Sequence, residues 1–186
     1  MIQRISGRRP TAIRLPHYDY REAGSYFVTI CSWQRAMLFE DPLVKDTLEL
    51  TWQEVPEHFP HASLDVFVVM PNHMHAILHL NRPPVGSQHA GNLLEARAAL
   101  LPGSLSVVIR SFKSASTKRL RERRLISGRI WQSNYHDRVI RTDRELDRVR
   151  EYIALNPLNW QHDQDNLERT ASVEYERAWN WLEAHT

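Results

Sequence analysis

Two groups of residues in this chain have the types and spacing that metal or phosphate chemistry needs. His73-Met74-His75 opens the apolar run HMHAILHL. Alternate residues of a strand project from one face, so both imidazoles would stand side by side and could hold one divalent cation, with Met74 turned to the core. The same spacing also suits two histidines that bind nothing. Tyr152 and Asn156, in EYIALNP, are four apart and share one face of a helix beside a buried stripe of Leu146, Val149 and Ile153. A half-buried tyrosine beside an asparagine near a helix end would read the same way. Tyr135, next to His136 in SNYHDR, could also be read as a nucleophile, but it precedes a strand and lacks a partner four residues on. Cys31 lies inside YFVTIC and reads as a buried strand thiol. His79 shares the His73 face by parity, but at the far end of the strand, and reads as a surface histidine.

The elements that must position these groups follow from periodicity. Tyr26 to Cys31 is a strand by its aromatic and β-branched content. Asp41 caps a helix opened by Pro42, running to about Val55 and ended by Pro56 and Pro60. Leu64 to Met70 and His73 to Leu80 are strands joined through the Pro71-Asn72 turn, an antiparallel hairpin. Residues 81 to 103 read as a loop. Ser104 caps a helix to about Glu122, with Leu105, Val108, Ile109 and Phe112 inward and arginines outward. Ile130 to Gln132 and Asp137 to Ile140 are short extended segments. Thr142 caps a further helix that Pro157 stops near Leu155. Val173 to Ala184 is a final amphipathic helix with Trp179 and Trp181. This order predicts an α+β domain, an antiparallel sheet covered by helices with ferredoxin-like topology.

At 186 residues the chain fits one domain with a single core. A single cysteine excludes an internal disulfide and suits a cytoplasmic protein. The N-terminus lacks an apolar signal core, and no stretch approaches the ~18 apolar residues of a membrane span. Net charge is only +2, but it is unevenly spread. Between Ser104 and Arg129, Arg110, Lys113, Lys118, Arg119, Arg121, Arg123, Arg124 and Arg129 face Glu122 alone, whereas acids dominate beyond Tyr152. A basic middle fits a polyanion-binding face, and an ordinary solvated helix face fits it equally. Trp131 could stack on a base or pack in the core.

Taken together, MPNHMHAIL, YDYREAGSYFVTI, VIRSFKS, WQSNYHDRVIR and the Tyr-x-x-x-Asn-Pro of residues 152–157 resemble the REP-associated tyrosine transposases. These are single-tyrosine insertion-sequence transposases of the HUH endonuclease superfamily. The resemblance runs from about Leu15 to Trp160, with the motifs in family order; residues 85–101 fit it poorly. It implies a basic leader at 1–14, the transposase domain at 15–160 and a C-terminal helical extension at 161–186. It further implies that His73, His75 and Asn156 hold Mg²⁺ or Mn²⁺ and that Tyr152 is the catalytic residue. The implied substrate is single-stranded DNA beside a hairpin, handled by a monomer or homodimer, with Arg110, Lys113, Lys118, Arg119, Arg121, Arg123 and Arg124 as DNA contacts. A non-catalytic hairpin-binding regulator and a metal-dependent nuclease using water are the competing expectations.

Overall fold

The computed structural model describes residues 23–81 and 103–170, together with 172, 173, 175–177 and 180. The leader, most of the loop at 81 to 103, and Trp179 and Trp181 of the expected last helix lie outside them. The elements are β1 (Gly24–Cys31), α1 (Pro42–Gln53), α2 (Val55–His58), β2 (Ala62–Met70), β3 (His73–Leu80), α3 (Leu105–Glu122), β4 (His136–Ile140) and α4 (Asp143–Leu155). Single 3-10 turns lie at Trp33–Arg35 and Trp160–His162. The strands form one sheet in the order β2-β3-β1-β4, with every neighbouring pair antiparallel. The order β-α-β-β-α-β with that sheet arrangement is ferredoxin-like, as the periodicity predicts, and α4 is added to it.

Local chemistry sets most boundaries. Asp41 accepts from the Leu43 N–H at 2.8 Å, so it caps α1, and Pro42 takes the first helical position. Pro56 does not simply end the chain's first helix: α1 stops at Gln53, and Val55-Pro56 open the short α2. A proline is tolerated there because the first-turn N–H groups have no helical acceptor. Thr142 accepts from the Glu145 N–H at 3.2 Å, and the Glu145 carboxylate reaches back to the Arg141 N–H at 2.7 Å. α4 then ends at Leu155, ahead of Pro157. Two expectations are corrected. Ser104 stands at the α3 start without a side-chain capping bond, its hydroxyl buried and without a hydrogen bond. Residues 130–132 contribute a single bridge, Ser32 to Trp131, rather than a strand.

The sheet separates two apolar layers. On one face α1 and α3 cover Tyr26, Val28, Ile30, Met74, Ala76 and Leu78, with Trp52 and Phe112 in edge contact at 5.0 Å between ring centres. Trp131 belongs to this layer: it packs against Phe39 and Phe112, and its indole N–H bonds the Ser116 hydroxyl at 3.1 Å. That settles its choice between core and base stacking in favour of the core. Tyr135 is buried in the same layer, its hydroxyl 3.0 Å from that of Ser106. On the other face α4 covers a smaller group, Phe27, Ile77, Ile140, Val149, Tyr152, Ile153 and Tyr175.

A β-bulge fastens α4 to this second face. Asp65 and Val66 of β2 together oppose one residue of β3, between the pairs Leu64–Leu78 and Phe67–Ala76. The carboxylate of Asp65 meets the Arg150 guanidinium of α4 at 2.6 Å and the His79 imidazole of β3 at 2.9 Å. Hydrogen bonding from Arg150 is the main reason the Asp65 carboxyl is held down at about 2, with help from His79 and the Val66 N–H. His79, expected to be a free surface residue, is therefore tied on both nitrogens, its Nδ1 lying 2.7 Å from the Ser25 hydroxyl.

Candidate functional site

The hairpin delivers the histidine pair as parity requires. His73 pairs with Cys31 and Met70, His75 with Thr29 and Val68. Both imidazoles are buried on the α4 face with ring centres 4.4 Å apart, while Met74 is buried in the opposite layer. Each ring is oriented from behind. Asn72 donates its amide N–H groups to the carbonyls of Arg35 at 3.2 Å and Asp165 at 2.7 Å, which leaves its Oδ1 to face His73 Nδ1 at 2.9 Å. An acceptor at that point requires His73 Nδ1 to carry the proton, so Nε2 keeps the lone pair that a metal needs. Thr29 Oγ1 lies 2.9 Å from His75 Nδ1, a contact in which either atom can donate, and His75 Nε2 faces the Tyr152 hydroxyl of α4.

Tyr152 arrives from α4 because Val149 and Ile153 anchor that helix to the sheet. Its hydroxyl lies 3.4 Å from His75 Nε2, and its ring meets Phe27 edge-on at 6.1 Å. Tyr135, on the opposite face of the sheet, is not brought to this pocket.

Residues beyond the expected domain boundary at 160 complete the pocket. Asp163 and Asp165 are 1% and 0% exposed. Isolated carboxylates are costly to bury. Asp165 forms an ion pair with Arg35. Asp163 accepts from the Tyr175 hydroxyl at 2.7 Å and from the Asp165 N–H at 2.6 Å. Because the one proton of Tyr175 goes to Asp163, the Tyr152 hydroxyl is the donor in its 2.9 Å contact with Tyr175. Burial above all, then the neighbouring Tyr152 and Asp163, pushes the Tyr175 phenol far up, so it stays protonated.

His73, His75 and Asp163 each offer a ligand atom, and these lie within 4.8 Å of one another. Asn156 is wholly buried nearby: its amide nitrogen donates to the Tyr175 hydroxyl at 3.3 Å, while its Oδ1 is buried without a hydrogen bond. Two imidazoles and one carboxylate, with an unsatisfied amide oxygen close by, form a donor set that could hold a divalent cation. The sequence pattern supplied His73, His75, Asn156 and Tyr152. It missed Asn72, Thr29, Asp163 and Tyr175. Asn72 had a signal, since it abuts His73 in PNHMH. Asp163 and Tyr175 had none, because no periodicity links them to Tyr152 and their burial is a tertiary fact.

The expected DNA contacts are divided in two. Arg119 pairs with Glu54 at 2.5 Å and Arg123 donates to the Thr47 hydroxyl at 2.8 Å, so both are turned to α1. Lys113 donates to the carbonyls of Gln132 at 3.0 Å and Asn134 at 2.9 Å, and burial draws its ammonium down to about 8. Arg110, Lys118 and Arg121 line a groove with Arg129, and Arg124 is exposed past the end of α3. All seven lie on α3 or at its C-terminal end, on the sheet face opposite Tyr152.

No protein-family model matches the chain. An uncharacterized protein of Haemophilus influenzae is 33% identical over 167 residues, covering 82% of this chain and 91% of that protein. A solved structure of a REP-associated tyrosine transposase bound to a REP hairpin has a TM-score of 0.53 and 21% identity, over 81% of this chain and 71% of that one. At that identity the likeness establishes a shared fold. No helix among the described residues is long and apolar enough to cross a membrane.

Proposed function

The chain belongs to one family with the Haemophilus influenzae protein and has the fold of the REP-associated tyrosine transposase, and on that premise we propose that it cuts and rejoins single-stranded DNA beside hairpin sequences of the REP kind, through a covalent bond to Tyr152. The observation that carries this reading is the phenol of Tyr152 placed 3.4 Å from His75 in a pocket where His73, His75 and Asp163 converge. Three separate segments meet there, β3, α4 and the stretch past residue 160, which packing of a lone tyrosine would not require.

His73, His75 and Asp163, with Asn156 Oδ1, would hold the divalent cation. When bound, it would polarise the scissile phosphate and offset the charge developing on its non-bridging oxygens. Tyr152 supplies the nucleophile. Its oxygen forms a bond to phosphorus as the bond to the 3′ oxygen breaks, the phenolic proton is lost, and the departing 3′ oxygen takes up a proton. One phosphodiester replaces another, so a later 3′-OH can attack the 5′-phosphotyrosine and rejoin strands without ATP. A phenoxide leaves more readily than an alkoxide because its ordinary pKa is near 10. Asn72 holds His73 in the tautomer that this work needs, Thr29 orients His75, and Asp65 with Arg150 keeps α4 on the sheet.

Strand polarity tests the reading. With wild type and Mn²⁺, a 3′-labelled strand becomes protein-linked in a denaturing gel, and a 5′-labelled strand yields a shorter free fragment. Tyr152→Phe does neither yet binds the same DNA. Cleavage without linkage, retained in Tyr152→Phe, is the outcome for a nuclease using water. Tight hairpin binding with no cleavage by wild type on any hairpin-flanked strand is the outcome for a regulator.

A further inference from the structure

Tyr175 lies past residue 160, in the stretch expected to extend the domain, and the reaction described above gives it no part. Its ring belongs to the apolar layer under α4, with its centre 6.0 Å from that of Tyr152. A phenylalanine would fill that place as well. What sets Tyr175 apart is its buried hydroxyl, on which three polar groups of the pocket converge: the Tyr152 hydroxyl at 2.9 Å, the Asn156 amide nitrogen at 3.3 Å and the Asp163 carboxylate at 2.7 Å.

A phenol has one proton to give and two lone pairs to receive with, so three contacts exhaust it and fix their own directions. A carboxylate only accepts, so the proton goes to Asp163. Tyr152 and Asn156 must then both donate. For Asn156 this decides which way round the amide sits. Turned over, its Oδ1 would meet an oxygen whose proton is already committed, two acceptors face to face. The nitrogen therefore takes the Tyr175 side, and Oδ1, buried without a hydrogen bond, is left for a cation. For Tyr152, the hydroxyl proton is directed at Tyr175 and the lone pairs are turned away from it. Asp163 is pinned at both oxygens, Oδ2 by Tyr175 and Oδ1 by the Asp165 N–H at 2.6 Å. The backbone that carries these groups has other anchors: Asp165 pairs with Arg35, the Asp165 carbonyl accepts from Asn72 at 2.7 Å, and the Thr170 N–H bonds the Gln161 carbonyl at 2.8 Å. The hydroxyl is thus separable from the fold of the segment.

We propose that Tyr175 is a positioning residue for the reaction: its hydroxyl orients the Tyr152 nucleophile, presents Asn156 Oδ1 to the cation and fixes the Asp163 carboxylate beside His73. The proposal rests on the reading of Tyr152 as nucleophile and of His73, His75 and Asp163 as the metal site. Groups standing behind metal ligands act in this way, by holding each ligand in the orientation that binds. One hydroxyl does so here for two ligands and the nucleophile together, which makes the stretch past residue 160 part of the reacting pocket.

The test is Tyr175→Phe, which keeps the ring and removes only the shared oxygen. Mn²⁺ affinity, read by calorimetry without DNA, falls about tenfold, the lower end of what losing a group behind a metal ligand costs. At saturating Mn²⁺, single-turnover formation of the Tyr152 adduct slows about tenfold, while strand affinity with metal chelated stays within about twofold. A general loosening of the fold would weaken Mn²⁺ by the same factor in any background. Orientation of Asn156 would not: in Asn156→Ala the amide is gone and Asp163 keeps its bond from the Asp165 N–H, so adding Tyr175→Phe weakens Mn²⁺ by no more than about threefold. Mn²⁺ affinity or adduct rate equal to wild type in Tyr175→Phe overturns the proposal, as does the full tenfold loss of affinity in the Asn156→Ala background. Faster adduct formation also overturns it, because the hydroxyl would then restrain the nucleophile instead of orienting it. Failure of the nicking reading looks different. Wild type and Tyr175→Phe that form the Tyr152 adduct equally fast sink only the positioning role, whereas Mn²⁺ affinity lost in Tyr175→Phe, with no adduct from wild type on any strand, sinks the nicking and leaves the hold on the metal ligands in place.

Discussion

The two faces of the sheet differ in what they bury. The α1/α3 face encloses Trp52, Phe112, Leu48, Ile109 and Tyr26 in a large apolar layer. The α4 face has a small apolar layer and, at one end, a polar knot of His73, His75, Tyr152, Asn156, Asp163 and Tyr175, all buried. Buried polar groups contribute little net stability and are costly when left unmatched. The larger layer therefore supplies the stability that lets the smaller one carry histidines, a carboxylate and an unsatisfied amide where apolar residues would pack better. β1 and β3 serve both, with alternate residues committed to opposite jobs.

The comparison can be broken at its extremes. Saturating Mn²⁺, at about a hundredfold excess over its Kd, stabilises the folded state by about 2.7 kcal/mol and raises the melting temperature by about 5 to 10 °C. His73→Ala with His75→Ala abolishes that rise whatever the variant does to the metal-free melting point, which differential scanning calorimetry reads directly; a full rise in the variant removes the site from this face. Trp52→Ala on the other face costs about 3–5 kcal/mol in urea denaturation and keeps the Mn²⁺-induced rise. If the rise disappears while the protein is still folded, the faces are not separable.

Asp65 supplies a smaller test. Its folded carboxyl sits at about 2, below the ordinary carboxylate value. Its contribution is present above about pH 4 and lost as pH falls toward 2. With Arg150 partly exposed, Asp65→Asn costs only about 1–2 kcal/mol at pH 7, and the gap from wild type closes by pH 2. A gap independent of pH would mean packing, rather than the ion pair, holds α4 down.

Short-range patterns were legible and cross-chain ones were not. Parity placed His73 and His75 on one face and Met74 on the other, and helical spacing placed Tyr152 beside Val149 and Ile153. Asp41, Thr142 and Pro157 marked helix ends because caps and proline act within four residues. Pro56 misled because a proline that ends one helix can open the next. Nothing local shows that Arg119 and Arg123 turn to α1, that Lys113 is spent on the carbonyls of residues 132–134, or that Asp163 and Tyr175 return to the pocket. Those contacts join segments that only the folded sheet brings together.

Locating the covalent bond tests the central claim most directly. Wild-type protein is reacted with Mn²⁺ and a hairpin-flanked strand, digested with nuclease and protease, and its peptides are sequenced by mass spectrometry. The account expects a nucleotide on Tyr152 alone, with the adduct surviving Tyr135→Phe. A nucleotide on Tyr135 or Tyr175, or strand cleavage that leaves every tyrosine unmodified, would contradict it.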